Sequence, residues 1–198
     1  MNSQPLIVGV TGGIGSGKST VCKVFEILGA VTYYADDRAK WLMTNDGQLV
    51  SSIKRLFGDE AYENGRLDRQ HIAGIAFKDQ TMLEQLNQLV HPTVANDVEQ
   101  WKKANKDAPI LLKEAALLFE TGSYKSLDKT ILVTAPLEVR IQRVIRRDSY
   151  RSREDVRAII DKQMSDEKKI PLADYTIVND GKQSVIKQVM KLYSSLIA

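Results

Sequence analysis

Five short apolar runs recur along the chain, and polar or glycine-rich segments separate them. The runs are rich in Val, Ile and Leu and do not alternate strictly with polar residues, which is typical of parallel strands covered on both faces. The predicted strands are residues 5–11, 30–34, 110–114, 129–134 and 175–179. The pattern therefore predicts a five-stranded parallel sheet.

Apolar residues at helical spacing fill the segments between these runs. Helices are predicted at residues 18–28, 47–57, 80–90, 93–104, 136–147, 153–163 and 183–197. Asp79 and Ser152 stand where N-caps of two of them would lie, and Pro136 suits a first helical turn. We expect His91-Pro92 to interrupt the helical pattern after residue 90, because proline lacks the backbone N–H that a helix interior needs.

Strands that alternate with helices predict a three-layer α/β fold around the parallel sheet. Residues 36–109 are too many for a single crossover helix, so we expect them to form a mainly helical lobe at the carboxyl edge of the sheet. The 198 residues fit one domain with this lobe and a small lid.

Composition points to an ordinary globular protein, with 43% hydrophobic and 27% charged residues and a net charge of +3. No apolar run is long enough to span a membrane and no signal-peptide pattern precedes the first strand, so we expect a cytoplasmic location without a membrane partner. The single cysteine, Cys22, excludes an intramolecular disulfide, and we expect it to pack inside the first helix.

The most specific motif lies between the first strand and the first helix. Gly12-Gly13-Ile14-Gly15-Ser16-Gly17-Lys18-Ser19-Thr20 fits G-x-x-x-x-G-K-[ST], the phosphate-binding loop. Its glycines let backbone N–H groups turn toward phosphate oxygens, and the following helix adds the positive end of its dipole. Lys18 would reach the β- and γ-phosphates and Ser19 would ligate Mg²⁺. A turn that merely connects strand and helix is the alternative, but the number of matching positions favours a nucleoside triphosphate site.

Other motifs narrow the class of phosphate-loop protein. A GTPase would carry D-x-x-G, but no Asp in the chain has Gly three residues later. The dinucleotide fingerprint fails because Lys18 stands at its last glycine. A small-molecule kinase of the nucleotide-kinase type remains. Such an enzyme needs a carboxylate near the accepting hydroxyl, a lobe for the acceptor and an arginine-bearing lid that excludes water.

Two features could supply the carboxylate and the lid. Asp36 follows the second strand and could orient or deprotonate an alcohol, or equally cap a helix that begins near Arg38. The lid is expected at about residues 147–163. Seven arginines crowd into 18 residues around its start, namely Arg140, Arg143, Arg146, Arg147, Arg151, Arg153 and Arg157. The cluster suits a phosphate-rich ligand, although a solvated helix face is open for some of them.

Four stretches of the chain resemble the dephospho-coenzyme A kinase family. They are residues 11–20, Ala35-Asp36, Leu89-Val90-His91-Pro92 with Leu117-Leu118-Phe119-Glu120, and Arg147-Asp148 with Ala173-Asp174 and Asn179-Asp180-Gly181. The loop alone is shared by many kinases, but the four stretches together, in this order over about residues 7–181, are specific. The resemblance implies that ATP phosphorylates the ribose 3′-hydroxyl of dephospho-coenzyme A, the last step of coenzyme A synthesis.

The resemblance also implies roles for single residues. Asp36 would be the catalytic base, while Lys18, Arg140 and Arg147 would stabilise the transferring phosphate. Residues at the adenine would be Asn179 and Gly181. The acceptor would meet Asp36, His91, Leu117, Leu118, Phe119 and Glu120. Packing in the core is an equally good interpretation of Leu117, Leu118 and Phe119. His91 could instead be a surface residue beside Pro92.

Two positions depart from the family pattern. Tyr34 stands where the family usually has the first Asp of Asp-Ala-Asp, so Asp36 is the carboxylate carried over and Asp37 an untested substitute. Glu114-Ala115-Ala116 stands where the family more often has Asp and Pro, but Glu114 can still serve Mg²⁺.

Two other functions stay open. One is a nucleoside or nucleoside-monophosphate kinase. The other is an ATP-binding protein that contacts nucleic acid through the arginines, which their single interleaved aromatic residue, Tyr150, does not favour. We expect no nucleic-acid partner, and either a monomer or a small homo-oligomer.

Overall fold

The computed structural model describes residues 4–198, apart from the side chains of residues 76–78 and 80. Its strands and helices are β1 (Leu6–Thr11), α1 (Lys18–Ile27), β2 (Val31–Tyr34), α2 (Ala35–Asn45), α3 (Gly47–Phe57), β3 (Tyr62–Glu63), β4 (Arg66–Leu67), α4 (Arg69–Lys78), α5 (Gln80–Ala104), β5 (Ile110–Glu114), β6 (Lys129–Thr134), α6 (Leu137–Arg147), α7 (Arg153–Asp161), α8 (Asp166–Lys169), β7 (Tyr175–Val178) and α9 (Val185–Ile197). They fall into two compact units: Ala35–Ala104, and Met1–Tyr34 with Asn105–Ala198.

Five parallel strands form the sheet of the second of these units, in the order β2-β5-β1-β6-β7. The central strand β1 pairs with β5 from Leu6 to Val10 and with β6 from Val8 to Thr11. The predicted α/β fold with a five-stranded parallel sheet is therefore confirmed. Because parallel strands end at the same edge, the phosphate loop after β1 and Glu114 at the end of β5 share that edge.

The core of this unit lies between one face of the sheet and helices α1 and α9. Val8 and Val10 of β1 are fully buried with Phe25 of α1 and Val189 of α9. Cys22 is buried in the same cluster, as predicted, and burial raises the pKa of its thiol far above the ordinary value. The apolar face of each strand thus holds α1, and with it the phosphate loop, against the sheet.

Helices α2–α5 build the Ala35–Ala104 unit around their own apolar core. Its buried residues include Leu42, Ile53, Phe57 and Val90. The guanidinium of Arg38 donates twice to the Asp97 carboxylate, at 2.7 and 2.8 Å. This paired contact ties α2 to α5. None of the helices in the described part of the chain is long and apolar enough to cross a membrane.

The predicted break at His91-Pro92 is wrong, because α5 runs unbroken from Gln80 to Ala104. Val90 is buried, and Leu89 and Val94 pack against the same cluster on either side of Pro92. Gln88, whose carbonyl loses its helical donor at Pro92, is exposed, so water can hydrogen-bond to that group. Tertiary packing therefore outweighs the lost hydrogen bond.

Other predicted helix ends agree more closely. Ser152 and Asp155 form the predicted capping box at the start of α7. Asp79 Oδ1 accepts a hydrogen bond from the Thr81 N–H at 2.9 Å, next to the start of α5. Helix α2 begins at Ala35 rather than near Arg38, so that Asp36 lies inside its first turn.

Candidate active site

The glycine-rich loop turns tightly between β1 and α1. Gly15 and Gly17 have φ angles of +77° and +95°, which favour glycine over any residue with a Cβ. The N–H groups of Gly15, Gly17, Lys18 and Ser19 donate to no acceptor in the described part of the chain. Together with the N-terminus of α1, these N–H groups form the kind of cradle that binds phosphate.

Lys18 and Glu114 meet beside this cradle. Lys18 Nζ donates to the Gly12 carbonyl at 3.1 Å and lies 3.6 Å from Glu114 Oε1. Glu114 is only 7% exposed at the end of β5. The structure thus brings together two residues that the sequence assigns to one site, the lysine of the loop and the carboxylate expected near the metal.

Mg²⁺ fits this donor set. Ser19 is an exposed residue in the first turn of α1, and it follows the lysine that contacts Glu114. Within residues 4–198, undescribed side chains aside, no group of three or more His, Cys, Asp or Glu residues could hold a metal ion. A site with one hydroxyl and one carboxylate suits Mg²⁺, which keeps water and substrate phosphate oxygens as its other ligands.

Two polar side chains hold the loop at Ser16. Asn179 Nδ2 donates to the Ser16 carbonyl at 2.9 Å, and Arg143 Nη2 donates to Asn179 Oδ1 at 3.1 Å. A Cβ built on Gly17 would overlap the Asn179 amide. The structure therefore places the Asn179 side chain against the loop backbone, while Gly181, the other residue assigned to adenine, is exposed at a φ of +82°.

Arg140 is buried beside the loop. Its Nε donates to the Ile14 carbonyl at 3.0 Å, and its guanidinium fills the space that a side chain at Gly13 would need. Asp166 Oδ2 lies 3.8 Å from Arg140 Nη1. Burial raises the pKa of Asp166, although Arg140 and Lys169 act in the opposite direction.

Arg147 lies in a different environment at the end of α6. Its side chain is 65% exposed, and Nε and Nη2 each donate to the Asp148 carboxylate at 2.8 Å. The hydrogen bonds from this guanidinium hold the pKa of Asp148 below its usual range. The structure does not bring Arg147 to the loop with Arg140.

The three apolar residues after β5 divide between interior and surface. Leu118 and Phe119 are buried, and the Phe119 ring meets Tyr124 edge-on with ring centroids 5.1 Å apart. Leu117 is 46% exposed. Of the three, Leu117 has the most surface to contact an acceptor.

Glu120 pairs with a buried lysine. Its Oε1 lies 2.9 Å from Lys169 Nζ and also accepts the Met164 N–H at 3.1 Å. Lys169 is fully buried, and no acceptor in the described residues meets its ammonium with hydrogen-bond geometry. The charge of Glu120 is therefore the closest compensation for this buried cation.

Glu120→Gln is expected to lower the free energy of unfolding by about 3 kcal/mol, because it removes the carboxylate charge that compensates the buried Lys169 ammonium. Urea unfolding would show a lower midpoint at an unchanged slope. The matched control is Glu99→Gln, which removes the exposed partner of Lys102 on α5 and should cost less than about 0.5 kcal/mol. Equal losses for both variants would contradict the assignment.

Asp36 and His91 belong to the Ala35–Ala104 unit. Asp36 is exposed two residues after the end of β2, and its neighbour Asp37 pairs with Lys40 at 2.8 Å. His91 is exposed on α5. Tyr34, the departure from the family pattern, donates its hydroxyl proton to Glu26 of α1 at 2.9 Å; burial and Glu26 both raise the Tyr34 pKa.

Sequence reasoning missed three contacts with the loop or its supports. Arg143 is three residues after Arg140 on α6, so helical spacing could have placed both on the loop side. Asp166 gave no signal beyond its charge. Gln163 gave none, because its partner is a backbone N–H far away in the sequence.

Comparison with known proteins decides the family. The family model described as dephospho-CoA kinase matches residues 6–184. The chain belongs to the dephospho-CoA kinase family. A dephospho-CoA kinase of Chlorobium luteolum is 40% identical over 203 residues, with 98% of this chain and 92% of the relative covered. The predicted family is confirmed, and its members are ATP-dependent kinases.

Solved structures agree with this family. A Thermus thermophilus crystal structure is 36% identical to this chain with a TM-score of 0.88, covering 99% of this chain and 100% of the other. The dephospho-CoA kinase from Campylobacter jejuni is 26% identical with a TM-score of 0.70, and 96% of each chain is covered. The P-loop kinase fold is thereby confirmed, and a nucleoside or nucleoside-monophosphate kinase is not favoured.

Proposed function

We propose that this chain transfers the γ-phosphoryl group of ATP to the ribose 3′-hydroxyl of dephospho-CoA, giving CoA and ADP, with Asp36 as the base. The observation that carries this proposal is the phosphate loop. Its N–H groups that have no acceptor among the described residues lie beside a lysine 3.6 Å from a buried carboxylate, in a chain of the dephospho-CoA kinase family.

The donor half of the site uses the loop and α1. The N–H groups of Gly15, Gly17, Lys18 and Ser19 bind the phosphate oxygens of ATP, and Lys18 shifts from Glu114 toward the β- and γ-phosphates. Ser19 and Glu114 would hold Mg²⁺, which when bound neutralises charge on the phosphate oxygens and orients them. Asn179 and Gly181 lie at the adenine side of this half.

The acceptor half uses residues that come before and after β5 in the sequence. Asp36 takes the proton of the 3′-hydroxyl while the ribose 3′ oxygen forms a bond to the γ-phosphorus of ATP. The bond between the γ-phosphorus and the bridging oxygen breaks, and that oxygen leaves with ADP. His91 and Leu117 contact the acceptor. Support for Asp36 comes from its family motif and from its position two residues after β2, whose last residue pairs with Glu114 in the sheet.

Two arginines neutralise the charge that moves during transfer. The position of the Arg140 guanidinium beside Gly13 and Ile14 of the phosphate loop supports this role. Arg147 is exposed and donates to the Asp148 carboxylate, so its guanidinium can turn to a phosphate once the lid closes. Closure that depends on the acceptor limits the wasteful hydrolysis of ATP.

The test is ADP production from Mg²⁺-ATP with dephospho-CoA, run beside adenosine, AMP, cytidine, CMP, UMP and no acceptor. We expect strong stimulation by dephospho-CoA alone and a product phosphorylated at the 3′ position, read by ³¹P NMR. Stimulation by a nucleoside or a nucleoside monophosphate instead would contradict the acceptor. Sedimentation of the same sample distinguishes a monomer from a small homo-oligomer, and a cytoplasmic location stays a prediction.

A further inference from the structure

The backbone of Ile14, near the middle of the phosphate loop, is held from both sides. Its N–H donates to Gln163 Oε1 at 2.9 Å, and its carbonyl accepts from Arg140 Nε at 3.0 Å. Its side chain packs against the apolar cluster of α6 and α7, which includes Val144 and Val156. The loop is therefore anchored at a residue that carries no phosphate-binding side chain.

Gln163 is itself held in place. It lies two residues after the end of α7, and the next residue, Met164, donates its N–H to Glu120 Oε1 at 3.1 Å. Asp166 then lies 3.8 Å from Arg140 Nη1. One short segment, residues 163–166, thus contacts the loop, its buried arginine and the segment after β5.

The Ile14 N–H is distinct from the N–H groups of the cradle. It is committed to the Gln163 amide, whereas the N–H groups of Gly15, Gly17, Lys18 and Ser19 have no acceptor in the described part of the chain. Phosphate can therefore bind without displacing Gln163, and the Gln163 contact can persist while ATP is bound.

We propose that Gln163 is a positioning residue for this reaction, whose side-chain oxygen fixes Ile14 and so keeps the following N–H groups aimed at phosphate before ATP arrives. The inference rests on the proposed function. A fixed loop loses less conformational freedom when ATP binds, so the contact strengthens ATP binding without entering the chemical step. Removing the oxygen leaves the Ile14 N–H without its acceptor and lets the loop sample other conformations.

The variant is Gln163→Met, which keeps the length of the side chain but removes the acceptor. We expect Kd and KM for ATP to rise about five- to ten-fold, the size of effect one neutral hydrogen bond produces. The turnover number and KM for dephospho-CoA should stay within about two-fold. The Gln163 contact strengthens ATP binding equally in the ground state and the transition state, so its loss changes neither constant. Gln142→Met, at an exposed position on α6, is the matched control and should leave all four constants unchanged.

Inorganic tripolyphosphate separates the loop from the adenosine contacts. Its Kd, measured by calorimetry, should rise by the same factor as that of ATP. In ¹⁵N-labelled protein the Ile14 amide proton should move upfield in Gln163→Met and stay in place in Gln142→Met, because it loses its hydrogen-bond acceptor only in the first.

Several results would overturn the inference. They are an unchanged Kd for tripolyphosphate, an unchanged Ile14 amide shift, or equal losses in KM for both substrates. If Gln163→Met does not fold, Gln163→Asn, which is shorter by one methylene, takes its place in the same measurements. A wild-type chain with no dephospho-CoA-dependent ADP production would refute the proposed function, while the tripolyphosphate and amide measurements would still decide the role of Gln163.

Discussion

Asp36→Asn is expected to lower the turnover number about 10²- to 10⁴-fold, the range that a positioned general base contributes. The amide keeps the size of the carboxylate but cannot take the proton of the 3′-hydroxyl. Asp36 is exposed in the first turn of α2, so the fold should tolerate the change. The measurements are steady-state turnover with dephospho-CoA and calorimetric Kd for ATP, and the second should hardly change.

The adjacent aspartate supplies the control. Asp37→Asn removes an exposed carboxylate that pairs with Lys40, and turnover should stay within about three-fold of the unmodified chain. A loss of ATP binding that matches the loss of turnover in Asp36→Asn would indicate a metal-binding or structural role. A large loss in Asp37→Asn alone would assign the base to Asp37.

Lys18→Met is expected to lower kcat/KM for ATP about 10³-fold, because it removes the cation placed to meet the charge that develops on the transferring phosphoryl group. The ammonium lies beside the N–H cradle, 3.6 Å from Glu114, and the methionine keeps the length of the stem. Initial rates at varied ATP, together with Kd for ATP, measure the effect on binding and on the chemical step.

Two comparisons make this result specific. Lys23→Met, at an exposed position on the same helix, should leave kcat/KM for ATP within about two-fold, since an isolated exposed charge contributes little. Urea unfolding of both variants shows whether loss of the ion pair between Lys18 and the buried Glu114 lowers the free energy of unfolding. Undiminished turnover in a folded Lys18→Met chain would contradict the assignment of the phosphate loop as the ATP site.

The strands and the loop could be predicted because their signals are local. Runs of Val, Ile and Leu set the strand ends to within one residue, and the loop motif is contiguous in the sequence. The unbroken helix α5 could not be predicted, because Val90 and Val94, which hold the helix across Pro92, contact residues from distant parts of the chain.

The site shows the same division between local and distant causes. Lys18 and Glu114 were predictable because each ends or follows a strand at one edge of the sheet. The contact of the Asn179 amide with Ser16 was not predictable, because Asn179 donates to a backbone carbonyl, a group that every residue carries. Residue type identifies side-chain chemistry, but it does not reveal which backbone groups a side chain will satisfy.

The strand order also has a consequence for the newly synthesised chain. β1 is made first, but its neighbours β5 and β6 follow only after all of Ala35–Ala104, a delay on the order of ten seconds at ordinary rates of translation. Val8 and Val10 spend that time without the strands that bury them. Arg140 and Asn179, whose side chains donate to the Ile14 and Ser16 carbonyls of the phosphate loop, are also made only after this delay. A phosphate loop held in its final conformation is therefore expected only once the chain has been made as far as Asn179.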